Sequence, residues 1–276
     1  MNDDRSTPLQ KLLTYASLAL VLALVLIPYA YVIATAFKPP SEVYEIRWWP
    51  SEISFAAWDE VFRINRFHHY LFNSLIAGIG SAILAVAIAL PGAYIFARKE
   101  FPFREPFFYM IVGTLIFPFI LLIVPVTIIW IRIGLFDTFL GLWLAFQIFA
   151  VPYSMWILRG YFAKLPRHLE EAAQVYGCTQ FQAFWRVMLP MAKPVIVSVL
   201  FLAFLQGWSD FLFSNMLTTG DGPRTASVAI YTSSAGGERV EWGPLMVMTL
   251  LTGIPPVILY MLAQKHLSKT FAGAGH

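Results

Sequence analysis

Residues Glu170–Pro194 read EEAAQVYGCTQFQAFWRVMLPMAKP, a polar stretch within an otherwise strongly apolar chain. Pro166 fits the first turn of a helix over Arg167–Tyr176, because a proline there loses no intrahelical hydrogen bond. Gly177 is placed to end that helix, since glycine readily adopts the left-handed conformation found at helix C-termini. The stretch therefore begins with a short helix closed by a glycine.

A second short helix is predicted directly after this glycine. Thr179 and Gln182 have the spacing of a capping box, in which each side chain accepts a hydrogen bond from the other residue's backbone. Apolar residues then recur at i, i+3, i+4 and i+7, which predicts one apolar helix face, made of Phe181, Phe184, Trp185 and Met188. Leu189-Pro190 is expected to end the helix. The segment is thus interpreted as two short helices hinged at a glycine.

The first of these helices has features of a docking site. Ala172 and Ala173 leave one side nearly flat, so that another surface can approach closely. Glu170 and Glu171 stand beside this flat side and could meet a basic group of a partner. Local physics alone also fits a simpler interpretation, an elbow that lies at a membrane interface.

The composition indicates that lipid surrounds most of this chain. Of its 276 residues, 58% are hydrophobic and 13% are charged, and the mean hydropathy is +0.66. Soluble domains carry about 25% charged residues, and a soluble fold would leave the excess apolar surface facing water. The net charge of +3 comes without a basic tract, so no nucleic-acid partner is predicted. The histidines lack the spacing of known ligand motifs, so no metal site is predicted either.

Six apolar segments are long enough to cross a bilayer, which takes about 20 helical residues. The predicted spans are Leu12–Phe37, Phe72–Ala97, Phe107–Ile131, Phe139–Leu158, Pro194–Leu217 and Trp242–Ala263. Taken together, the N-terminus, the second and fourth connections and the C-terminal tail hold 12 basic residues and six acidic ones. Because positive charge is retained on the cytoplasmic side, both termini and the opening stretch are predicted to be cytoplasmic. The expected fold is an all-α integral membrane protein with six transmembrane helices.

The opening stretch resembles the EAA loop of permease subunits from ATP-binding-cassette (ABC) importers. That pattern is E-A-A, three residues, G, nine residues, an aliphatic, one residue, L-P. It is matched here by Glu171-Ala172-Ala173, Gly177, Val187 and Leu189-Pro190. Further stretches are similar to carbohydrate permeases, above all the second permease of maltose-type systems: YLFNSL at 70–75, AYIFARKEFP at 93–102, IGLFDT at 133–138, LRGYFAKLP at 158–166 and GWSDFLF at 207–213.

The chain also departs from this family in two places. The family usually has Asp-Gly-Ala around the loop glycine, where this chain has Tyr176-Gly177-Cys178. The usual Trp-Asn-Asp-Phe of the fifth span is Trp208-Ser209-Asp210-Phe211 here. The first change affects the expected ATPase contact. The second weakens any transfer of substrate contacts from the family.

The resemblance implies a type I ABC importer transmembrane domain that works as half of a heterodimeric pore with a second permease. An external substrate-binding protein would deliver a carbohydrate, and the EAA loop would insert into a cytoplasmic ATPase dimer. Glu171 would pair with a basic group of the ATPase, and Gly177 would supply the bend. The chain has no GxxxxGK[ST] phosphate-binding motif, so it is expected to be a transport subunit rather than an enzyme. ATP and Mg would be bound by the partner ATPase.

The resemblance divides the chain into a cytoplasmic N-terminus (1–11), a first span (12–37), an extracytoplasmic loop (38–71), a five-span core (72–264) and a cytoplasmic tail (265–276). Within the core, residues 159–193 form the coupling loop. A prokaryotic inner membrane is the expected location. Aromatic residues of the extracytoplasmic loop are expected mainly to anchor it at the membrane interface, namely Trp48, Trp49, Trp58, Phe67 and Tyr70.

Polar residues in the spans are candidates for the translocation path, since an ionisable or amide group in lipid usually faces a cavity or a partner. The candidates are Asn73, Gln147, Gln206, Trp208 and Asp210. Asp210 fits structural pairing or gating better than substrate contact, and Trp208 could stack on a sugar or anchor the chain. Three alternatives remain: an ABC permease for another solute, a secondary transporter, and a membrane enzyme. A secondary transporter is disfavoured because the spans contain few charges and no visible repeat. A membrane enzyme is disfavoured because no constellation of catalytic residues is found.

Overall fold

The computed structural model describes residues 8–220, 222–235 and 240–272, and these form helices and connections without a strand. Helices α1 to α5 are Pro8–Ala36, Ala56–Asp59, Phe67–Arg98, Arg104–Gly113 and Ile120–Ile133. Helices α6 to α10 are Phe139–Lys164, His168–Val175, Gln180–Ala183, Leu189–Met191 and Lys193–Ser209. Helices α11 to α13 are Leu212–Leu217, Ala226–Ala235 and Trp242–Ala272. The prediction of an all-helical chain is confirmed for the described residues.

Four helices are long and apolar enough to cross a membrane by themselves, namely α1, α3, α6 and α13. Two further candidates are bent pairs of helices. Residues Arg104–Ile116 and Ile120–Ile133 meet at 99°, and residues Gln180–Met191 and Lys193–Ser209 meet at 75°. The described residues therefore contain between four and six candidate spans, and the count reaches six if each bent pair is one span.

The third predicted span, Phe107–Ile131, is broken at Pro118. Phe117 before it is extended (ψ 132°), as expected of a residue whose helical conformation would clash with the following proline. Pro28, Pro91, Pro125, Pro152 and the pair Pro255-Pro256 instead lie inside helices. Of these prolines, only Pro118 lies at a break between helices.

The fifth predicted span, Pro194–Leu217, is also divided. Helix α10 ends at Ser209, and Asp210 is extended (ψ 129°). The carboxylate Oδ1 of Asp210 accepts hydrogen bonds from the backbone N and the Oγ of Ser214, at 2.9 and 3.1 Å. These bonds satisfy donors in the first turn of α11 that a helix start leaves free. The acidic residue is therefore the cap of a new helix.

The described residues up to Phe67 and those of Thr232–Thr252 form one compact unit. Phe37 packs against Phe55 and Trp58, with ring centroids 5.6 and 5.3 Å away. Phe67 is fully buried, whereas Trp48 and Trp49 are more than half exposed. The expectation of interfacial anchoring therefore fits Trp48 and Trp49, and it is wrong for Phe67.

Residues His68–Tyr231, with the described residues from Gly253 onward, form the second compact unit. Its core lies between α3, α6 and α10 and is built largely from small and aliphatic side chains. Helices α3 and α10 cross closely, since a Cβ added at Gly207 would lie 3.2 Å from the Cα of Gly78. Small residues at such crossings are typical of helix packing in lipid.

The first unit contains a carboxyl pair, Glu60 and Glu241, in a small pocket that Lys38 and Tyr44 also line. Burial and the hydrogen bond to Glu241 raise the pKa of Glu60 to about 7. A group with a raised pKa holds a proton in the folded protein that the unfolded chain releases near pH 4.5. Folding is therefore stabilised at low pH, and this contribution is lost as the pH rises through 7.

We expect Glu241→Gln to reduce this pH dependence, because the amide removes the charge beside Glu60, whereas burial, the larger cause of the raised pKa, remains. Thermal unfolding of detergent-solubilised protein between pH 4.5 and 8 measures the effect. The wild type should lose stability relative to Glu241→Gln as the pH rises through this window. Parallel curves for the two proteins would show that the pair does not share a proton.

Candidate functional site

Helix α7 ends in the way that the sequence predicted. Gly177 has a left-handed backbone (φ +88°). Its N–H donates to the carbonyl of Gln174 at 2.9 Å, and the N–H of Cys178 donates to the carbonyl of Ala173 at 3.0 Å. These two bonds make a Schellman motif. The prediction of a glycine-closed helix is confirmed, although the helix begins at His168, after Pro166 and Arg167.

The capping box at the start of α8 is also confirmed. Thr179 Oγ1 accepts from the backbone N of Gln182 at 3.2 Å, and Gln182 Oε1 accepts from the backbone N of Thr179 at 2.9 Å. Only Tyr176, Gly177 and Cys178 separate α7 from this cap. The angle between the two short helices is thus defined by paired backbone groups on both sides of the hinge.

Thr179→Ala is expected to loosen the start of α8. Loss of a threonine N-cap costs about 1 kcal/mol, which corresponds to roughly fivefold faster local opening. Hydrogen exchange of the backbone amides in Gln180–Ala183 measures this directly. Thr249→Ala is the matched control, because Thr249 Oγ1 bonds only to the Leu245 carbonyl of its own helix in this structure. Equal exchange in both variants would show that the cap does not hold α8.

The predicted single apolar face after this cap is wrong. Phe184 and Met188 are buried, but Phe181 and Trp185 are 70% and 50% exposed. Phe181 and Trp185 contact each other at 6.0 Å between ring centroids, and a π-helical stretch, which departs from the 3.6-residue period, covers Phe184–Met188. Helix α9 then continues through Leu189-Pro190 to Met191, so these two residues do not end the helix. Val187 and Leu189 are half-buried, and Pro190 is exposed.

One side of α7 faces outward, and we call it the exposed stripe: Glu171, Ala172, Val175 and Tyr176. Val175 and Tyr176 are 85% and 89% exposed, and Glu171 and Ala172 are also exposed. Ala173 is buried instead, so only one of the two predicted flat alanines lies at the surface. The stripe exposes Tyr176, a residue type enriched at protein interfaces, close to the carboxylate of Glu171.

Glu170 points into the protein, unlike its neighbour Glu171. Its Oε1 lies 3.1 Å from Nε of Arg98 as an ion pair that is not aligned for a hydrogen bond. Its Oε2 accepts a hydrogen bond from the hydroxyl of Tyr94 at 3.0 Å. Both glutamates were predicted to face a partner, whereas Glu170 is paired within the chain.

Three of the predicted path residues make contacts inside the second unit. Asn73 is buried, and its Nδ2 donates to the carbonyls of Gly222 and Arg224 at 2.8 and 3.0 Å. Trp208 is only 4% exposed and packs on Phe204 at 5.4 Å between ring centroids. Asp210 caps α11, as described above. In this structure these side chains join elements of the fold.

Gln147 and Gln206 are placed differently. Gln147 lines an apolar cleft of about 800 Å³ between α4, the start of α5 and α6. Its Nε2 donates to the carbonyl of Trp143 and to Ser81, but its buried Oε1 has no hydrogen-bond partner among the described residues. Gln206 is exposed on α10. Of the five candidates, Gln147 alone combines a cavity with an unsatisfied polar atom.

Residues 89–273 match the family model of the inner membrane component of binding-protein-dependent transport systems. The chain belongs to this family. The matched residues include α7 with its exposed stripe, α8, and the bent pair formed by Gln180–Met191 and Lys193–Ser209. Membership of this family, together with several long apolar helices, makes the chain a multi-pass membrane permease.

Curated relatives and a solved structure agree with this assignment. The permease is 32% identical to a trehalose transport system permease of Mycobacterium tuberculosis, covering 90% of this chain and 91% of the relative. It is 31% identical to a diacetylchitobiose uptake system permease of Streptomyces coelicolor, covering 93% and 85%. A crystal structure of a bacterial ABC transporter involved in alginate import matches with a TM-score of 0.81 at 20% identity, over 96% and 99% of the two chains. This likeness shows that the permease has the fold of a type I ABC importer subunit.

Two contacts in the permease escaped sequence reasoning. Arg98 and Tyr94 bind Glu170 from more than 70 positions away, and no local pattern links such distant residues. The exposure of Tyr176 and Phe181 was also missed, because an apolar residue in a short helix is ordinarily assigned to its buried face.

Proposed function

We propose that this chain is a permease subunit of an ATP-driven ABC importer for a carbohydrate, and forms half of its translocation pore. The observation that carries the coupling role is the exposed stripe of α7. It places a carboxylate and two large apolar side chains on a helix whose C-terminal end is held by a Schellman motif. A rigid helix with one outward-facing side can be held by a partner and moved as a body.

The partner at this stripe would be an ATPase dimer that binds ATP and Mg. Closure of the dimer on ATP would displace α7, and Glu171 would pair with a basic group of the ATPase. Tyr176 and Cys178 replace the usual acidic and small residues of the family. The outward position of Tyr176 supports a larger apolar contact at this point of the interface.

The second permease and the pore are supported by the exposure of apolar helices. In the most apolar stretch of α1, only 11% of the residues are buried, and the same share is buried in the most apolar stretch of α13. In a membrane such surfaces are covered by lipid or by another subunit. Gln147 lines the cleft between α4, α5 and α6 and has a buried amide oxygen without a hydrogen-bond partner among the described residues, which supports a place on the path.

An arrangement with six spans and both termini in the cytoplasm of a prokaryotic inner membrane accompanies this proposal. It counts each bent pair as one span and rests on the distribution of basic residues. The C-terminal tail belongs to the same expectation, and residues 273–276 of it lie outside the described residues. An external binding protein would deliver the solute on the opposite side.

The carbohydrate assignment rests on the relatives. Their names specify trehalose, diacetylchitobiose and sulfoquinovosyl glycerol as transported compounds. These relatives share at least 85% of their length with this chain. A common sugar-like solute class is the simplest explanation for similarity over such a length.

The test is uptake into proteoliposomes that contain the chain with its partner permease, ATPase and binding protein. We expect ATP-dependent accumulation of at least one radiolabelled sugar from a panel that includes trehalose and diacetylchitobiose. Uptake of amino acids but no sugar would favour a permease for another solute class. Uptake by the chain alone, without ATP, would favour a secondary transporter and would overturn the proposal.

A further inference from the structure

Arg98 lies where three elements of the second unit meet. It is the last residue of α3, and its side chain is only 4% exposed. Its Nη2 donates to the carbonyl of Leu165, directly after α6, at 2.6 Å. Its Nε lies 3.1 Å from the carboxylate of Glu170, in the first turn of α7. One guanidinium therefore links the ends of α3 and α6 to the start of α7.

Tyr94 joins this ionic contact to an aromatic cluster. Its hydroxyl donates to the second carboxylate oxygen of Glu170. Its ring lies 4.7 Å from that of Phe184 and 5.8 Å from that of Phe162, measured between centroids. Phe162 belongs to α6 and Phe184 to the π-helical stretch after α8. The packed rings thus connect α3 and α6 to the stretch after α8, and the Tyr94 hydroxyl connects α3 to α7.

The charges of Arg98 and Glu170 are largely buried, and this favours one geometry of their ion pair. A charge pair withdrawn from water is held strongly in one geometry, because separating it leaves each charge unpaired in a poorly solvated place. The Arg98 guanidinium is planar, and its hydrogen bond to the carbonyl of Leu165 orients it beside the Glu170 carboxylate, which it contacts as an ion pair. Glu171, one position later, is exposed and free of this arrangement. The two adjacent glutamates therefore have different surroundings and different roles.

We propose that Arg98, Glu170 and Tyr94 form a rigid joint that makes α7 move together with α3, which we call the α3–α7 joint. This inference rests on the proposed coupling of α7 to an ATPase. Within it, Glu171 receives the displacement from the partner, and Glu170 passes it to the long helix that runs into the membrane. Arg98, Glu170 and Tyr94 are positioning residues and contact no substrate.

Distances between spin labels on the two helices test the joint. In a Cys178→Ser background, labels are attached at Ile83→Cys on α3 and Gln174→Cys on α7, both exposed positions. Ile83 lies about 22 Å along α3 from Arg98, at 1.5 Å per residue. The wild type should give one narrow distance distribution in the assembled transporter, unchanged between the ATP-free state and the ATP-bound state.

Arg98→Ala should at least double the width of this distribution and let the α7 label move on ATP binding without the α3 label. Arg98→Lys should give an intermediate width, because a lysine keeps the charge but cannot form the planar fork. Arg167→Ala is the matched control, since it removes an exposed cation beside α7, and its distribution should equal that of the wild type. If Arg98→Ala does not fold, Glu170→Gln tests the same joint with a nearly isosteric change.

Two results would overturn the joint. One is a wild-type distance that shifts on ATP binding, since α3 and α7 would then move separately. The other is an unchanged width in Arg98→Ala or in Glu170→Gln. The coupling proposal fails separately, if the wild-type chain does not assemble with an ATPase. In that case the widths of the distance distributions between the two labels, measured in the chain alone, still decide whether the α3–α7 joint exists.

Discussion

Glu171→Arg is expected to reduce ATP-driven uptake by about 30-fold or more, while the chain still inserts into the membrane. The side chain is exposed on the stripe of α7, so its replacement disturbs no contact within the fold. At the proposed interface, loss of one partner from a buried charge pair costs about 2–5 kcal/mol, and each 1.4 kcal/mol is a factor of ten. The arginine would in addition place two positive charges together.

The measurement is uptake and ATP hydrolysis by the reconstituted complex, with membrane insertion followed separately by the amount of chain recovered in the membrane. Glu100→Arg is the control, because Glu100 is another exposed acid on the same proposed side of the membrane and gives the same change in charge. It should retain most of the activity. Full activity of Glu171→Arg would show that this carboxylate does not contact the ATPase.

Gly141→Ala is expected to be the most damaging small substitution in the second unit. A Cβ at this position would lie 2.1 Å from the carbonyl oxygen of Leu135 and 2.9 Å from a ring carbon of Trp130. The Gly141 backbone is also fixed, since its N–H bonds to Thr138 and its carbonyl accepts from Trp130. Overpacking costs typically 1–3 kcal/mol, and we expect about 3 kcal/mol because the obstacle includes backbone.

Thermal unfolding of the purified chain in detergent measures this loss. Gly160→Ala serves as the control, because Gly160 lies in the same helix and no atom is within 4 Å of an added Cβ. Alanine favours helices over glycine by about 1 kcal/mol, so this variant should be at least as stable as the wild type. Equal unfolding temperatures for the two variants would contradict the close approach of Leu135 to α6.

The local features of the stretch Glu170–Pro194 were predictable from the sequence. Gly177 and the Thr179–Gln182 pair act through bonds that span only a few residues, and each has a characteristic spacing. The π-helical stretch at Phe184–Met188 was not predictable in this way, because it departs from the regular period. The exposure of Phe181 and Trp185 was likewise not predicted.

Longer-range features were less accessible. The pairing of Glu170 with Arg98 and Tyr94 depends on how α3, α6 and α7 pack, and the sequence shows only that charges are present.

Asp210 was identified as unusual because it lies in an apolar segment. Its role as the cap of α11 depends on Ser214, four positions later. A carboxylate at that spacing from a serine is a local signal for a helix start inside a predicted span.

The most direct test of the central claim is purification of the tagged chain from its native membrane in a mild detergent. The account predicts a complex with a second permease and an ATPase that hydrolyses ATP, and loss of that ATPase from the complex in Glu171→Arg. The contradicting result is a chain that purifies without an ATPase and, after reconstitution by itself, still transports solute.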